Sequence, residues 1–184
     1  MNVVEVTDLG SDAGLSLLNL YAENFEVSEK IPLTDIDALI KSGSGHVLAF
    51  FDEGEGEPVA GAFVILDSTY LYIAFLAVAS GHQGRGYGTK ALELLEEKYA
   101  GRTCVLEIQS PTVESGNHRQ RIRRAEFYKR AGFEFAPFSA DEQGGIYDFM
   151  VRGGTVSLPQ MQEFLERAVG PERLRQWHMR FFCR

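Results

Sequence analysis

Apolar positions recur along this 184-residue chain with two periods, near two and near 3.6. "VVEV" (residues 3–6) reads as a short strand. Leu15, Leu18, Tyr21 and Phe25 follow at helical spacing, with Ser11 or Asp12 placed to cap the helix. Pro32 breaks the pattern. "LTDIDALIKSG" then predicts a second helix, opened by a capping box of Thr34 with Asp37 and closed at Gly43. "HVLAFFD" and "PVAGAFVIL" read as strands joined by the turn "EGEGE". "TYLYIAFLAVA" is apolar on both faces, the signature of a central strand.

A helix with Ala91, Leu92, Leu95 and Tyr99 on one face comes next, then the strand "TCVLEIQ". "NHRQRIRRAEFYKRAG" is a basic helix closed by Gly132. "FEFAPF" and "GIYDFMV" read as a closing pair of strands. Ser157 and Pro159 start a last helix running to about Val169. Gly170 and Pro171 break it before an aromatic tail, "WHMRFFCR". The order predicts a mixed α/β domain, with strands bunched early and helices interleaved later.

Composition narrows the class. Hydrophobic residues make up 45% and charged residues 24%, which suits a packed globule of one domain. No apolar run is long enough to cross a bilayer, and no secretory signal pattern opens the chain, so no membrane partner is expected. The cysteines, Cys104 and Cys183, lie far apart and without metal spacing, which fits a reduced, cytoplasmic protein. His46, His82, His118 and His178 are scattered, so no metal site is expected. A net charge of −8 argues against nucleic acid as a partner. It suits a cationic substrate such as an amine, although solubility alone explains it as well.

The chemistry concentrates in "LAVASGHQGRGYGTKALELLEEKY" (residues 76–99), where three glycines spaced two apart join a strand to a helix. Gly88-Thr89-Lys90 reverses the order a P-loop requires, and Gly84, Gly86 and Gly88 give GxGxG rather than the dinucleotide GxGxxG. A third phosphate pattern, Q/R-x-x-G-x-G/A, is met by Gln83, Gly86 and Gly88. Glycines let an anion approach the backbone closely, and the first N–H groups of a helix have no intrahelical acceptor. Arg85 can add charge at the rim. A tight turn that uses glycine for geometry alone is the other reading of these residues.

With "LAV" ahead of that motif and "RAEFYKRAGFEF" after the next strand, the chain resembles the GCN5-related N-acetyltransferase (GNAT) superfamily over roughly 47–151. The resemblance implies a mostly antiparallel sheet of six to seven strands flanked by helices, its two central strands splayed around the cofactor. It divides a single domain into acceptor-side helices (1–45), a cofactor-binding core (46–152) and a C-terminal helical extension (153–184). Acetyl-CoA is the implied cosubstrate. Leu76, Ala77 and Val78 would offer backbone groups to its pantetheine arm, and Gln83, Gly84, Arg85, Gly86, Tyr87, Gly88 and Thr89 would hold its pyrophosphate.

Tyr128 matches the family's tyrosine, the implied acid for the leaving thiolate; a packing aromatic is the other reading. Phenol and thiol reference pKa values lie within about two units of each other. Glu107, a carboxylate in mid-strand, is a candidate base or a structural partner for a helix arginine, and a water chain with no dedicated base is the other route for the amine proton. The family's asparagine seven residues before the tyrosine is replaced here by Arg121, with Asn117 nearby but out of register. Arg121 and Arg124 either reach a coenzyme A phosphate or form a solvated basic face. Ser80 stands where proline is frequent.

The implied function is N-acetyl transfer to a primary amine of a small molecule or peptide, by direct attack in a ternary complex. A non-catalytic acyl-CoA sensor is the alternative, and a nucleotide-binding protein a distant third. The acceptor would be chosen by about residues 21–45, where Glu23, Glu26 and Glu29 either attract an amine or form the polar face of a helix end. The aromatic tail leaves a homodimer open.

Overall fold

Strands and helices form where the polar pattern changes period, and the computed structural model describes residues 1–26, 30–54, 56–142 and 144–184. Glu29 and Glu55 lie outside the described residues. The chain is a mixed α/β protein that divides into two compact units.

The first unit comprises Met1–Leu66 and Ile73–Ala100. It holds β1 (Asn2–Val6), α1 (Asp12–Asn24), α2 (Leu33–Ser42), β2 (Gly45–Phe51), β3 (Ala60–Leu66), most of β4 (Tyr70–Val78) and α3 (Tyr87–Lys98). The strand order is β1-β2-β3-β4, with β1/β2 and β2/β3 antiparallel. The core is apolar: Leu48, Phe50, Phe63 and Ile65 are fully buried, with Leu92 and Leu95 of α3.

Helix α1 is capped by Ser11, whose hydroxyl accepts from Gly14 N–H at 3.2 Å. Its inward face differs from the expected one. Leu17, Leu20 and Tyr21 are buried, whereas Leu15 is half exposed. Two glycines set this rotation. Gly14 packs so closely that a Cβ would meet the Leu9 backbone at 2.6 Å. Gly61 of β3 opens the space that Leu17 and Leu20 fill.

Helix α2 begins at Leu33 after Pro32, which gives no side-chain cap, so the expected Thr34–Asp37 box does not form. Asp37 pairs with Lys41 at 2.5 Å instead. Gly43 ends the helix in the left-handed conformation, as the sequence predicts.

The second unit comprises Asp67–Tyr72 and Gly101–Arg184. It contains β5 (Thr103–Gln109), α4 (His118–Arg130), β6 (Glu134–Glu142), β7 (Gly145–Arg152), α5 (Leu158–Ala168), α6 (Pro171–Gln176) and β8 (Met179–Cys183). Its strands run β5-β7-β6-β8, all antiparallel. The expected closing pair is β6/β7, and β6 runs on to Glu142 past a register shift between Phe135 and Ser139, around Pro137. Helix α5 starts after Ser157, as the Ser157 and Pro159 signal predicts, and Gln160 Oε1 accepts from the Ser157 N–H at 2.8 Å.

The aromatic tail has a defined place: residues 179–183 form β8 on the edge of β6, with Phe181 opposite Ala140. This brings the described strands to eight, one more than the upper expected number.

Candidate functional site

The expected site residues fall into two groups, one in each unit. In the first unit, β4 ends at Val78 with alternating burial: Ala77 is buried, while Leu76 and Val78 are half-buried. A short 3-10 turn over Ser80–His82 follows. Gln83 folds back, its Nε2 donating to the Val78 carbonyl at 3.2 Å. This motif residue therefore ties the turn to the strand end.

Gly84 and Gly86 adopt φ of 75° and 87°, the left-handed region that L side chains rarely enter. Apart from the glycine and its two chain neighbours, no heavy atom lies within 4 Å of the position a Cβ would take at either glycine. Gly86 is also the N-cap of α3 and supplies no side-chain hydrogen bond to the helix. Gly88 and Thr89 carry first-turn N–H groups, which an α-helix leaves without an acceptor four residues back. The turn thus presents open space, uncapped donors and the positive end of a helix dipole, with Arg85 exposed beside them. This cradle fits a pyrophosphate.

In the second unit, α4 carries Tyr128 on its buried face with Ala125. The phenol ring packs 5.7 Å from Phe133 and 5.0 Å from Phe127. Burial pushes its pKa up to about 12, against a smaller lowering by the Arg124 guanidinium one turn earlier. The gap to a thiol at about 8.5 therefore widens to about three to four units, compared with reference values. Arg124 is the neighbouring cation that narrows it.

Arg121 has a defined partner. Its Nε donates to Asn117 Oδ1 at 2.7 Å, while Asn117 Nδ2 donates to Gln109 Oε1 at 3.0 Å. Asn117, out of register with the family pattern, is thus the hub that joins the start of α4 to the end of β5.

Glu107 lies half-buried in β5, opposite Phe149 of β7. Its partner is a residue that sequence reasoning missed. The Tyr72 phenol, fully buried, donates a hydrogen bond to the Glu107 carboxylate. Burial, with Glu107 and Glu142 as neighbouring carboxylates, holds the Tyr72 pKa well above the ordinary phenol value. The Tyr72 ring stacks on Phe149 with centroids 6.4 Å apart. A usable signal was present: a phenol in a strand buried on both faces needs a partner for its O–H.

Asp148 was missed for a similar reason. It is 1% exposed in β7, and its carboxylate accepts from Ser110 Oγ at 2.8 Å and Ser139 Oγ at 2.7 Å. Arg184 lies 3.3 Å away as its counter-ion. A charge in mid-strand in "GIYDFMV" is the same signal that singled out Glu107.

Among the expected acceptor-side residues, Glu23 and Glu26 are exposed. Tyr21 instead turns inward, stacking on Phe75 at 4.7 Å while its hydroxyl accepts from Ile31 N–H at 2.7 Å.

The model of the acetyltransferase (GNAT) family matches residues 15–133. That span is more than half of the chain and includes both the turn and the Tyr128 helix, so the chain belongs to this family. The solved structures it resembles include a putative GNAT acetyltransferase from Bacteroides thetaiotaomicron, at 22% identity and a TM-score of 0.73, covering 92% of this chain and 99% of that one. The ribosomal-protein-S18-alanine N-acetyltransferase of Escherichia coli matches at 12% identity and a TM-score of 0.60, covering 85% and 95%. An aminoglycoside 6'-N-acetyltransferase complexed with coenzyme A matches at 17% identity and a TM-score of 0.59, covering 83% and 96%. At these identities the likeness concerns the fold. No curated protein matches the sequence significantly. Among the described residues, no helix is long and apolar enough to cross a membrane.

Proposed function

We propose that the protein is an acetyl-CoA-dependent N-acetyltransferase, passing an acetyl group to a primary amine of a small molecule or peptide by direct attack in a ternary complex. The observation that carries the reading is the uncapped start of α3, entered through two left-handed glycines over open space. Family membership supports it. Bound acetyl-CoA would supply the activated acyl carbonyl and a thiolate leaving group.

In this reading Gly84 to Thr89 bind the pyrophosphate, with Arg85 adding charge at the rim. Backbone groups of Leu76, Ala77 and Val78 receive the pantetheine arm. Gln83 acts indirectly, closing the turn onto Val78. Tyr128 is the proton donor, a phenol that is protonated at neutral pH. Glu107 is the base, its carboxylate oriented by Tyr72. Arg124 biases Tyr128, and Arg121, braced by Asn117, is the candidate substitute for the family's asparagine.

Calorimetry with acetyl-CoA, coenzyme A and ATP tests the reading. Micromolar binding of the two CoA species with ATP silent supports it, and an amine screen read by free-thiol release then follows. If acetyl-CoA gives no heat at any temperature tried and no thermal shift, the turn is only a turn and the reading is wrong.

A further inference from the structure

Tyr87 joins three parts of the turn to a rigid strand. It is the first residue of α3, directly after Gly86. Its phenol donates to the Asp52 carboxylate, one residue beyond the end of β2. The Arg85 guanidinium sits 5.5 Å from its ring centroid, and the His82 ring meets it in a T-shape at 5.4 Å. A side chain that follows the two left-handed glycines therefore contacts one residue before them and the residue between them.

The anchor is well supported. Strand β2 is paired on both sides, with Phe51 opposite Asn2 and Phe50 opposite Ala60. The other Asp52 oxygen lies 3.5 Å from the Met1 ammonium. Glycines give a free turn many backbone states, and each must be given up when an anion binds. A pinned Tyr87 removes part of that cost in advance. The charge of Asp52 argues for this role too. A carboxylate near a phosphate site repels the ligand, so attraction cannot be what it contributes.

We infer that Asp52 is a positioning residue for the phosphate-binding turn, acting through the Tyr87 hydroxyl to hold the turn ready for an anionic cosubstrate. The inference rests on the turn assignment made above. It predicts a pattern that a merely structural contact does not give. Tyr87→Phe and Asp52→Ala each weaken acetyl-CoA binding about tenfold, the scale of one charge-assisted hydrogen bond. The double variant is no weaker than either single one, because both remove the same link. Asp52→Asn keeps an acceptor and loses the charge, so it binds within twofold of wild type or more tightly. In steady-state assays, the Asp52→Ala loss falls on the KM for acetyl-CoA ahead of kcat.

The experiment is calorimetric titration of the four variants and wild type with acetyl-CoA, alongside thermal melts. Tyr87→Phe keeps the ring and its contacts, so it serves even if Asp52→Ala folds poorly. Wild-type-like affinity in Tyr87→Phe, or additive losses in the double variant, overturns the inference and leaves the acetyltransferase reading standing. Failure of wild type to bind overturns both.

Discussion

Tyr128 and Tyr72 show what burial does to a phenol. Each has a folded-state pKa above its unfolded value, mainly through desolvation. Such a group adds stability that is fully present below the unfolded value, near 10, and is lost as pH rises through the folded value. The protein is therefore expected to lose stability progressively between about pH 10 and 12, and Tyr128→Phe to flatten part of that loss. Urea unfolding at pH 9, 10 and 11 checks this. In the catalytic reading, Tyr128→Phe lowers kcat by about 100-fold or more while acetyl-CoA binding persists. Calorimetry beside steady-state rates separates that outcome from a sensor, for which no turnover exists to lose. Tyr72→Phe removes a donor from the Glu107 carboxylate and so loosens its orientation. In the catalytic reading kcat should fall, and the Tyr72→Phe effect should vanish in a Glu107→Gln background, as steady-state rates of the single and double variants check.

Among elements, α1 and the C-terminal strand teach different lessons. The helical period of residues 12–24 was legible, yet its inward face was not. Leu15, Leu18, Tyr21 and Phe25 fit one stripe and Leu17, Leu20 and Tyr21 another, and only the close approach at Gly14 and Gly61 decides between them. A Cβ at Gly61 would meet Leu17 Cδ2 at 2.4 Å. Gly61→Ala should therefore cost about 1–3 kcal/mol through overpacking, with part recovered when Leu17 is shortened to Val. Urea midpoints of the single and double variants measure both. Strand β8 was illegible because five residues at a sheet edge carry little pattern of their own, and their pairing with β6 is set by the partner strand.

For the molecule as a whole, the order of strands and helices follows from the sequence far better than the polar network inside the second unit. Asp148 gathers Ser110 from beyond the end of β5, Ser139 from β6 and Arg184 from beyond β8. Removing the carboxylate takes the acceptor from the buried Ser139 hydroxyl and leaves the Ser110 hydroxyl with Thr112 alone. Asp148→Ala is expected to lower stability by about 2–4 kcal/mol, and the more exposed Arg184→Gln by no more than about 1 kcal/mol. Thermal melts of the two variants test that ranking.

What the sequence by itself determined is local: the strand–turn–helix around Gly84 to Gly88, the α3 face, the caps of α5 and the position of Tyr128. These follow from backbone sterics and short-range periodicity, which act within a few residues. What only the tertiary structure decided is pairing at a distance. It joined Tyr72 to Glu107, Asp52 to Tyr87, Asn117 to Gln109 and Arg184 to Asp148. A hydrogen bond forms wherever the fold places a donor beside an acceptor. Neither partner's neighbours in sequence carry a trace of the other.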